Sequence, residues 1–406
     1  MTNKRKIIND PVYGFLTIDD DLLYDLISHP YLLRESQIKQ LGFTYMVYPG
    51  AMHSRFSHML GALNLMNRAI DVLRSKGVTI SDEESLGVKV AILLHDIGHG
   101  PFSHTSEHML ADIDHETFTL LFMQRLNEQF NGRLSTAISI FDDTYPRHFL
   151  HQLVSSQLDM DRLDYLARDS FFTGVSEGIV GTERIINMLN VTDDMLVVDE
   201  KGVYSIEKFI ISRRLMYWQV YMHKTVIVAD NIFYNIMRRA RELYKPTDET
   251  SLLHFLTHRH SEADFRTDPS LLDLFATIDD NDVITTVKKW IHHDDKILRN
   301  LSSMLINRHL SAIKVGNQPV TSDLVDSLRE RLCQLFDIDR TETEYYIGTG
   351  ILRNNAYNFN DQEIRVRLKD GSILDISEAS DQLDHRFLEK QVTKYYVYYP
   401  KELRQS

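Results

Sequence analysis

AILLHDIGHGPFSH, residues 91–104, is the stretch on which the fold turns. Val88 to Leu94 reads as a buried helix, with His95 and Asp96 at its end and a glycine-rich turn after them. An adjacent His-Asp pair at a helix end can converge on one cation, offering an imidazole nitrogen and a carboxylate oxygen. Such mixed donor sets suit Zn, Fe, Mn or Ni rather than Ca. The dipeptide alone carries little weight, since His293-Asp294 is another in the same chain. Its setting carries more: polar side chains closing an apolar helix are costly to bury without partners, and His99, His104 and His115 follow closely.

Working outward, two further ligands are needed to hold an ion. His58, in HSRFSH (53–58), falls at the start of one helix, and Asp161, in LDMDRLDYLARD (158–169), falls on another. Leu60, Leu63, Met66 and Ile70 form a helical stripe after His58. Asp161, Tyr165 and Asp169 are spaced i, i+4, i+8 and share one helical face. LVVDEKGVYSI (196–206) reads as a hairpin turning near Gly202, followed by helix from about 206 to 243 and a stop at Lys245-Pro246. EIRVRLKDGSILDIS (363–377) alternates around Asp370-Gly371, a hairpin signal, and VTKYYVYY (392–399) is a further strand. The expected fold is mainly α: a helical core over 1–245, a subsidiary helical region over 246–345, and a small C-terminal α+β unit over 346–406.

The 406 residues carry a net charge of −13, which argues against a broad basic surface for nucleic acid but leaves room for a local basic pocket. Cys333 is the single cysteine, so no intramolecular disulfide is possible and a reducing compartment is expected. MTNKRKIINDP has basic residues without an apolar run behind them, unlike a signal peptide. No apolar stretch reaches the roughly 18 residues that span a bilayer. A cytoplasmic protein without a membrane segment is the expectation.

The order H…HD…D on helices resembles the HD-domain phosphohydrolase superfamily, and most closely its dNTP triphosphohydrolase branch, which includes the SAM-and-HD-domain enzymes and bacterial dGTPase-like proteins. The matching segments are KIINDPVYG (6–14), IKQLGFTYMVYPGAMHSRFSH (38–58), HDIGHGPFSH (95–104) and LDMDRLDYLARDSFFTG (158–174), with weaker similarity in RRLMYWQVYMHK (213–224). No segment resembles the SAM domain. The resemblance implies an HD-domain helical core that hydrolyses dNTPs to deoxynucleoside and inorganic triphosphate. It implies one divalent metal per site (Mn, Fe, Zn, Ni or Mg) on His58, His95, Asp96 and Asp161, with a second Mg accompanying the substrate phosphates as a further option. His104 matches the general acid, with Glu107 and His115 as its relay; the family usually has Asp at the position of Glu107. His99, Arg55, Arg162, Arg213 and Lys224 match phosphate-binding positions, and Asp159 belongs to the same acidic segment, near the phosphates or behind them. Gln40, Tyr165 and Asp169 match readers of the 3′-hydroxyl, and Tyr221 a tyrosine that packs on the sugar and disfavours a 2′-hydroxyl. Relatives are dimers or tetramers, so a homo-oligomer is expected.

Plainer readings stand beside these. A histidine after Pro-Phe-Ser can cap a turn, each basic residue can be a solvated charge, and Tyr165 or Tyr221 can be core aromatics. The same metal site could also serve a nucleotide phosphatase or phosphodiesterase of the superfamily, or lie idle in a nucleotide-sensing or nucleic-acid-binding scaffold. One departure concerns regulation. Where regulated members carry an Asp, a Gln and an Arg for a guanine-nucleotide activator, LISHPYLLRESQIKQLG (26–42) has Ser28, Leu33 and Ser36, so activation by GTP at that site is not expected.

Overall fold

The computed structural model describes residues 5–245, 250–355, 357, 363–383 and 388–404; Pro246, the expected helix stop, lies outside them. Strands β1 (Lys6–Asp10) and β2 (Gly14–Ile18) form an antiparallel hairpin. Helices α1 (Asp21–Ile27) and α2 (Pro30–Arg34) lead through two 3-10 turns to α3 (Arg55–Ser75). Next come α4 (Asp82–Leu94), α5 (His115–Gln129), α6 (Ser135–Phe141), α7 (His148–Val154), α8 (Met160–Thr173) and α9 (Thr182–Met188). Both helices that deliver the first ligands are capped as their sequences dictate. Ser54 and Ser57 form a capping box on α3, and Ser81 and Glu84 one on α4, whose first turn is acidic as the helix dipole favours. Helix α3 packs against both α4 and α8, with Met59, Leu63, Met66, Ile92, Leu93 and Leu163 buried between them.

The expected hairpin at 196–206 is corrected. Its first half is strand β4 (Met195–Asp199), but the partner is the preceding β3 (Leu189–Thr192), and Val203 already begins helix α10 (Val203–Met216). Asp193 and Asp194 both have positive φ, 50° and 60°, the backbone that a two-residue hairpin turn requires. The expected single helix to 243 is also two. A π-turn at Tyr217–Tyr221 follows α10, and the chain restarts as α11 (Lys224–Leu243).

Beyond it, α12 (Ser251–Thr257), α13 (Glu262–Thr267), α14 (Ser270–Phe275), α15 (Asp280–Trp290) and α16 (Lys296–Ile306) precede β5 (Ala312–Gly316) and α17 (Ser322–Phe336). The C-terminal strands are β6 (Gly348–Asn354), β7 (Arg365–Arg367), β8 (Ile373–Asp375) and β9 (Val392–Tyr399), with α18 (Ile376–Ala379) between the last two. The 370–371 hairpin forms as expected between β7 and β8. Its β7 edge then pairs in parallel with β4, while β9 lies between β5 and β6. Among the described residues no helix is long and apolar enough to cross a membrane. The fold is mainly α, with its sheets small and peripheral.

Candidate active site

His58 projects from the first turn of α3, His95 caps the C-terminus of α4, Asp96 follows it, and Asp161 lies in the first turn of α8. The donor atoms of His58, His95 and Asp161 lie within 4.8 Å of one another, and Asp96 flanks them. His58 Nε2 is 3.3 Å from His95 Nε2 and 3.0 Å from Asp161 Oδ1, and His95 Nε2 is 3.4 Å from that oxygen. Asp96 presents Oδ2 3.5 Å from His58 Nε2 and Oδ1 3.6 Å from His95 Nε2. Ligands held about 2.0–2.2 Å from one ion lie about 3.0–3.5 Å from each other, so the His58, His95 and Asp161 spacings are those of a coordination shell, with Asp96 beside it.

The tautomers agree with a cation. His58 Nδ1 faces Asp164 Oδ2 at 2.7 Å, and His95 Nδ1 faces the Ile92 carbonyl at 2.7 Å. Each Nδ1 must carry a proton, which leaves both Nε2 lone pairs aimed at the same point. Two lone pairs and two carboxylates converging in a buried site need positive charge between them. Burial pulls the His58 ring down, but Asp161 and Asp164 outweigh it and raise its pKa to about 10. Without an ion, a proton takes the place. Asp161 and Asp96 are pulled low despite burial, Asp161 by the two histidines and Asp96 chiefly by Arg55. The donor set is one that could hold a divalent metal ion.

The turn after Asp96 is held from several sides. Gly98 has no room for a Cβ, which would collide with the His115 carbonyl and the Thr119 amide of α5. Phe102 and Ser103 both adopt φ of 57°, a conformation that non-glycine residues rarely hold unless the surroundings enforce it. Here Asp280 accepts the Phe102 amide at 2.6 Å and the Lys39 amide at 3.0 Å, while Ser103 Oγ donates to the Lys39 carbonyl. Arg55, fully buried, is paired to Asp96 and donates from Nε to Ser103 Oγ at 2.7 Å. That loop presents His104, whose side chain is 66% exposed. Glu107 bridges His104 Nδ1 at 3.2 Å and His115 Nδ1 at 2.7 Å. Those two imidazoles hold the Glu107 carboxyl far below its usual range, and Glu107 in turn raises His115 against burial. His99 stacks on His115 with ring centres 4.1 Å apart, and burial with the nearby Arg55 charge keeps it neutral.

A cavity of about 390 Å³ opens beside this centre. Gln40, Arg55, His104, Asp161, Arg162, Tyr165, Asp169 and Tyr221 all line it, so eight of the expected site residues share one space. The π-turn brings Tyr217 and Tyr221 to its wall. Others fall elsewhere. Asp159 is buried as the N-cap of α8 and braces Arg162 Nε at 3.2 Å; burial raises its carboxyl to about 6. His99, Glu107 and His115 line a small void behind His104. Arg213, in the last turn of α10, opposes the upward push that burial gives the Tyr165 hydroxyl, without lining the cavity. Lys224 stands at the start of α11 and lines a separate cavity with Arg308, Lys401 and Arg404.

Several residues of the site carry no motif signal of their own. Asp164 holds His58, and Arg168 grips Asp164 from Nε at 2.9 Å while pairing with Asp10 of the N-terminal hairpin at 2.8 Å. His53 Nε2 meets Asp169 Oδ1 at 2.8 Å. Asp10 lies within KIINDPVYG (6–14), and Asp164 and Arg168 within LDMDRLDYLARDSFFTG (158–174).

Comparison with known proteins agrees with this geometry. Residues 55–169 match the HD domain and 180–260 the HD associated region. A crystal structure of a phosphohydrolase from Bacteroides thetaiotaomicron superposes with a TM-score of 0.93 at 48% identity, covering 98% of this chain and all of that one. Uncharacterized protein YwfO of Bacillus subtilis is 32% identical over 99% of this chain and 93% of its own length. The human deoxynucleoside triphosphate triphosphohydrolase SAMHD1 is 28% identical over 60% of this chain, which spans about half of its length (46%).

Proposed function

The chain belongs to the HD-domain phosphohydrolases, and from that premise we propose that it hydrolyses deoxynucleoside triphosphates to deoxynucleoside and inorganic triphosphate. The observation that carries this reading is the continuity of the 390 Å³ cavity. A metal ligand (Asp161), two cations (Arg55, Arg162), an exposed imidazole (His104) and a polar aromatic group (Tyr165, Asp169, Tyr221) line one space. Phosphates, leaving oxygen and sugar of one nucleotide each find complementary chemistry there.

His58, His95, Asp96 and Asp161 would hold the divalent ion; when bound, it supplies positive charge against a phosphoryl oxygen and acidifies water. Arg162, braced by Asp159, meets phosphate oxygens with a fixed fork of donors. Water adds its oxygen to the α-phosphorus, the bond from phosphorus to O5′ breaks, and O5′ takes a proton from His104. Glu107, itself paired with His115, orients the imidazole for that transfer. Tyr221 donates to Asp169 Oδ2 at 2.7 Å, fixing the carboxylate that meets the 3′-hydroxyl. A homo-oligomer is part of the same proposal, supported by the exposed apolar side chains of Ile7 and Phe15 on the N-terminal hairpin.

Incubating the purified protein with each dNTP and Mn²⁺, and resolving the products by chromatography, tests the reaction. Deoxynucleoside with inorganic triphosphate supports it. Orthophosphate or pyrophosphate release would replace it with the phosphatase or phosphodiesterase chemistry of the same superfamily.

A further inference from the structure

One wall of the cavity has no place in the chemistry above. It is built by three segments that pack on one another, Gly42–Met46, Ser103–Ser106 and α11. They contribute Gly42, Thr44, Thr105, Val226 and Asp230 to the lining. Asp230 is its carboxyl group, half-buried at the cavity edge. Thr105 Oγ1 donates to its Oδ1 at 3.0 Å, and Oδ2 has no protein partner among the described residues. Among the described residues no lysine or arginine pairs with it; the cations of the lining are Arg55 and Arg162, of which Arg55 is paired to Asp96 and Arg162 to Asp159. Burial pushes the Asp230 carboxyl up to about 7, with only the Thr105 hydroxyl pulling the other way.

A partly buried carboxyl without a cation is costly, and such groups in clefts mark ligand sites. On the reading given above, on which this inference rests, phosphates go to Arg55, Arg162 and the metal ligands, and the sugar to Tyr165, Asp169 and Tyr221. The base remains, and the carboxyl group of the lining left for it is Asp230. Its free oxygen accepts hydrogen bonds and carries charge that adjacent N–H donors relieve. Guanine offers two such donors side by side, N1–H and the 2-amino group; adenine and cytosine pair an N–H donor with an acceptor that would face the carboxylate. We propose that Asp230 reads the substrate base and makes this enzyme select guanine.

The alternative is that Asp230 acts only through Thr105, steadying the turn that carries its neighbour His104. Steady-state kinetics with dGTP, dATP, dCTP and dTTP on the wild type, Asp230→Asn and Thr105→Val separate the two. The expected result is a wild-type preference for dGTP of about 10- to 100-fold in kcat/KM, the worth of one charge-assisted hydrogen bond. Asp230→Asn, equal in size, should erase that preference chiefly through dGTP, while Thr105→Val keeps it. Equal losses for all four nucleotides in both variants, or a wild type indifferent to base, overturn the proposal. Thermal shifts with each dNTP run in parallel. If the wild type binds dGTP preferentially and Asp230→Asn does not, yet no triphosphate is released, base reading stands and the proposed reaction fails. If no dNTP shifts or reacts, both fall.

Discussion

His58 Nδ1–H donates to Asp164 Oδ2 across 2.7 Å, with both side chains sealed from solvent. That bond decides which way the ring faces and so where its Nε2 lone pair lies. Outer partners of this type tune metal affinity by about 10- to 100-fold. Asp164→Asn should lower metal affinity by that factor while the helices persist, as read by metal content after dialysis and by circular dichroism. Full metal occupancy at limiting free ion would contradict the role.

The same ring predicts a pH dependence. Its pKa is raised to about 10 in the folded, metal-free protein, against about 6.5 in an unfolded chain. The stability contributed by the charged ring is therefore complete below about pH 6.5 and is lost as pH rises through 10. Metal must displace that proton, so apparent affinity should climb about tenfold per pH unit between those limits. A chelator competition titration from pH 7 to 9 measures the slope, and a flat line would refute it.

Gly61 lies on α3 directly beneath the Asp164–Arg168 pair, and a Cβ there would collide with Asp164 Oδ1 and Arg168 Nη2. Both groups are fully buried and tied to His58 and Asp10. Gly61→Ala should destabilise the fold by about 1–3 kcal/mol, the usual cost of overpacking, and loosen the metal as well. Denaturant titration and metal content check both effects. A variant as stable and as metal-replete as the wild type would show that the pair can yield.

How much of this was legible in the sequence depends on how far apart the partners lie. His95 and Asp96 are neighbours, and Asp161, Tyr165 and Asp169 share a face through helix periodicity alone, so local pattern suffices for them. Asp280 reaches the His104 loop from 178 residues beyond Phe102, and no periodicity reports such a contact. The hairpin at 189–199 was misplaced because Gly202 is the obvious turn former, while the chain turns on two aspartates in left-handed conformations. Lys224 follows the sugar-side Tyr221 by three residues, yet the break at Met222-His223 and the N-cap at His223 send it to another cavity.

Asp280 itself is testable. Its carboxylate accepts the Phe102 and Lys39 amides and pairs with Lys39 Nζ at 3.2 Å. Removing a buried partner of this sort costs about 3 kcal/mol or more. Asp280→Ala should therefore release the left-handed turn at Phe102 and Ser103, lowering both thermal stability and kcat through the displacement of His104. Unchanged kcat at a temperature where the variant is folded would detach the turn from the chemistry.

The acid and its relay separate by magnitude. His104→Ala should lose about 10²–10⁴ in kcat, the range for an acid–base group, with metal retained. Glu107→Gln keeps the side chain's shape but removes the anion that holds both imidazoles. It should lower kcat and move its pH profile toward lower pH, because His115 loses the carboxylate that raises it against burial. Profiles that coincide with wild type would assign Glu107 a packing role.

Asp169 is clamped on both oxygens, by His53 Nε2 at 2.8 Å and by Tyr221 O–H at 2.7 Å. The tyrosine therefore does two things that substitution can pull apart. Its hydroxyl orients the carboxylate, and its ring fills the cavity wall beside Tyr165, 6.2 Å between centres. Tyr221→Phe deletes the hydrogen bond and leaves the ring, so KM for dNTPs should rise by about tenfold, one lost bond, with ribonucleotides still rejected. Tyr221→Ala removes the ring as well and opens space for a 2′-hydroxyl, so the ratio of kcat/KM for ribo- over deoxyribonucleotides should rise further. His53→Ala loosens the other oxygen and should resemble Tyr221→Phe, not Tyr221→Ala. Competition assays with paired GTP and dGTP give the ratio directly. If Tyr221→Phe admits ribonucleotides as readily as Tyr221→Ala does, discrimination resides in the Asp169 hydrogen bond and not in the volume of the ring.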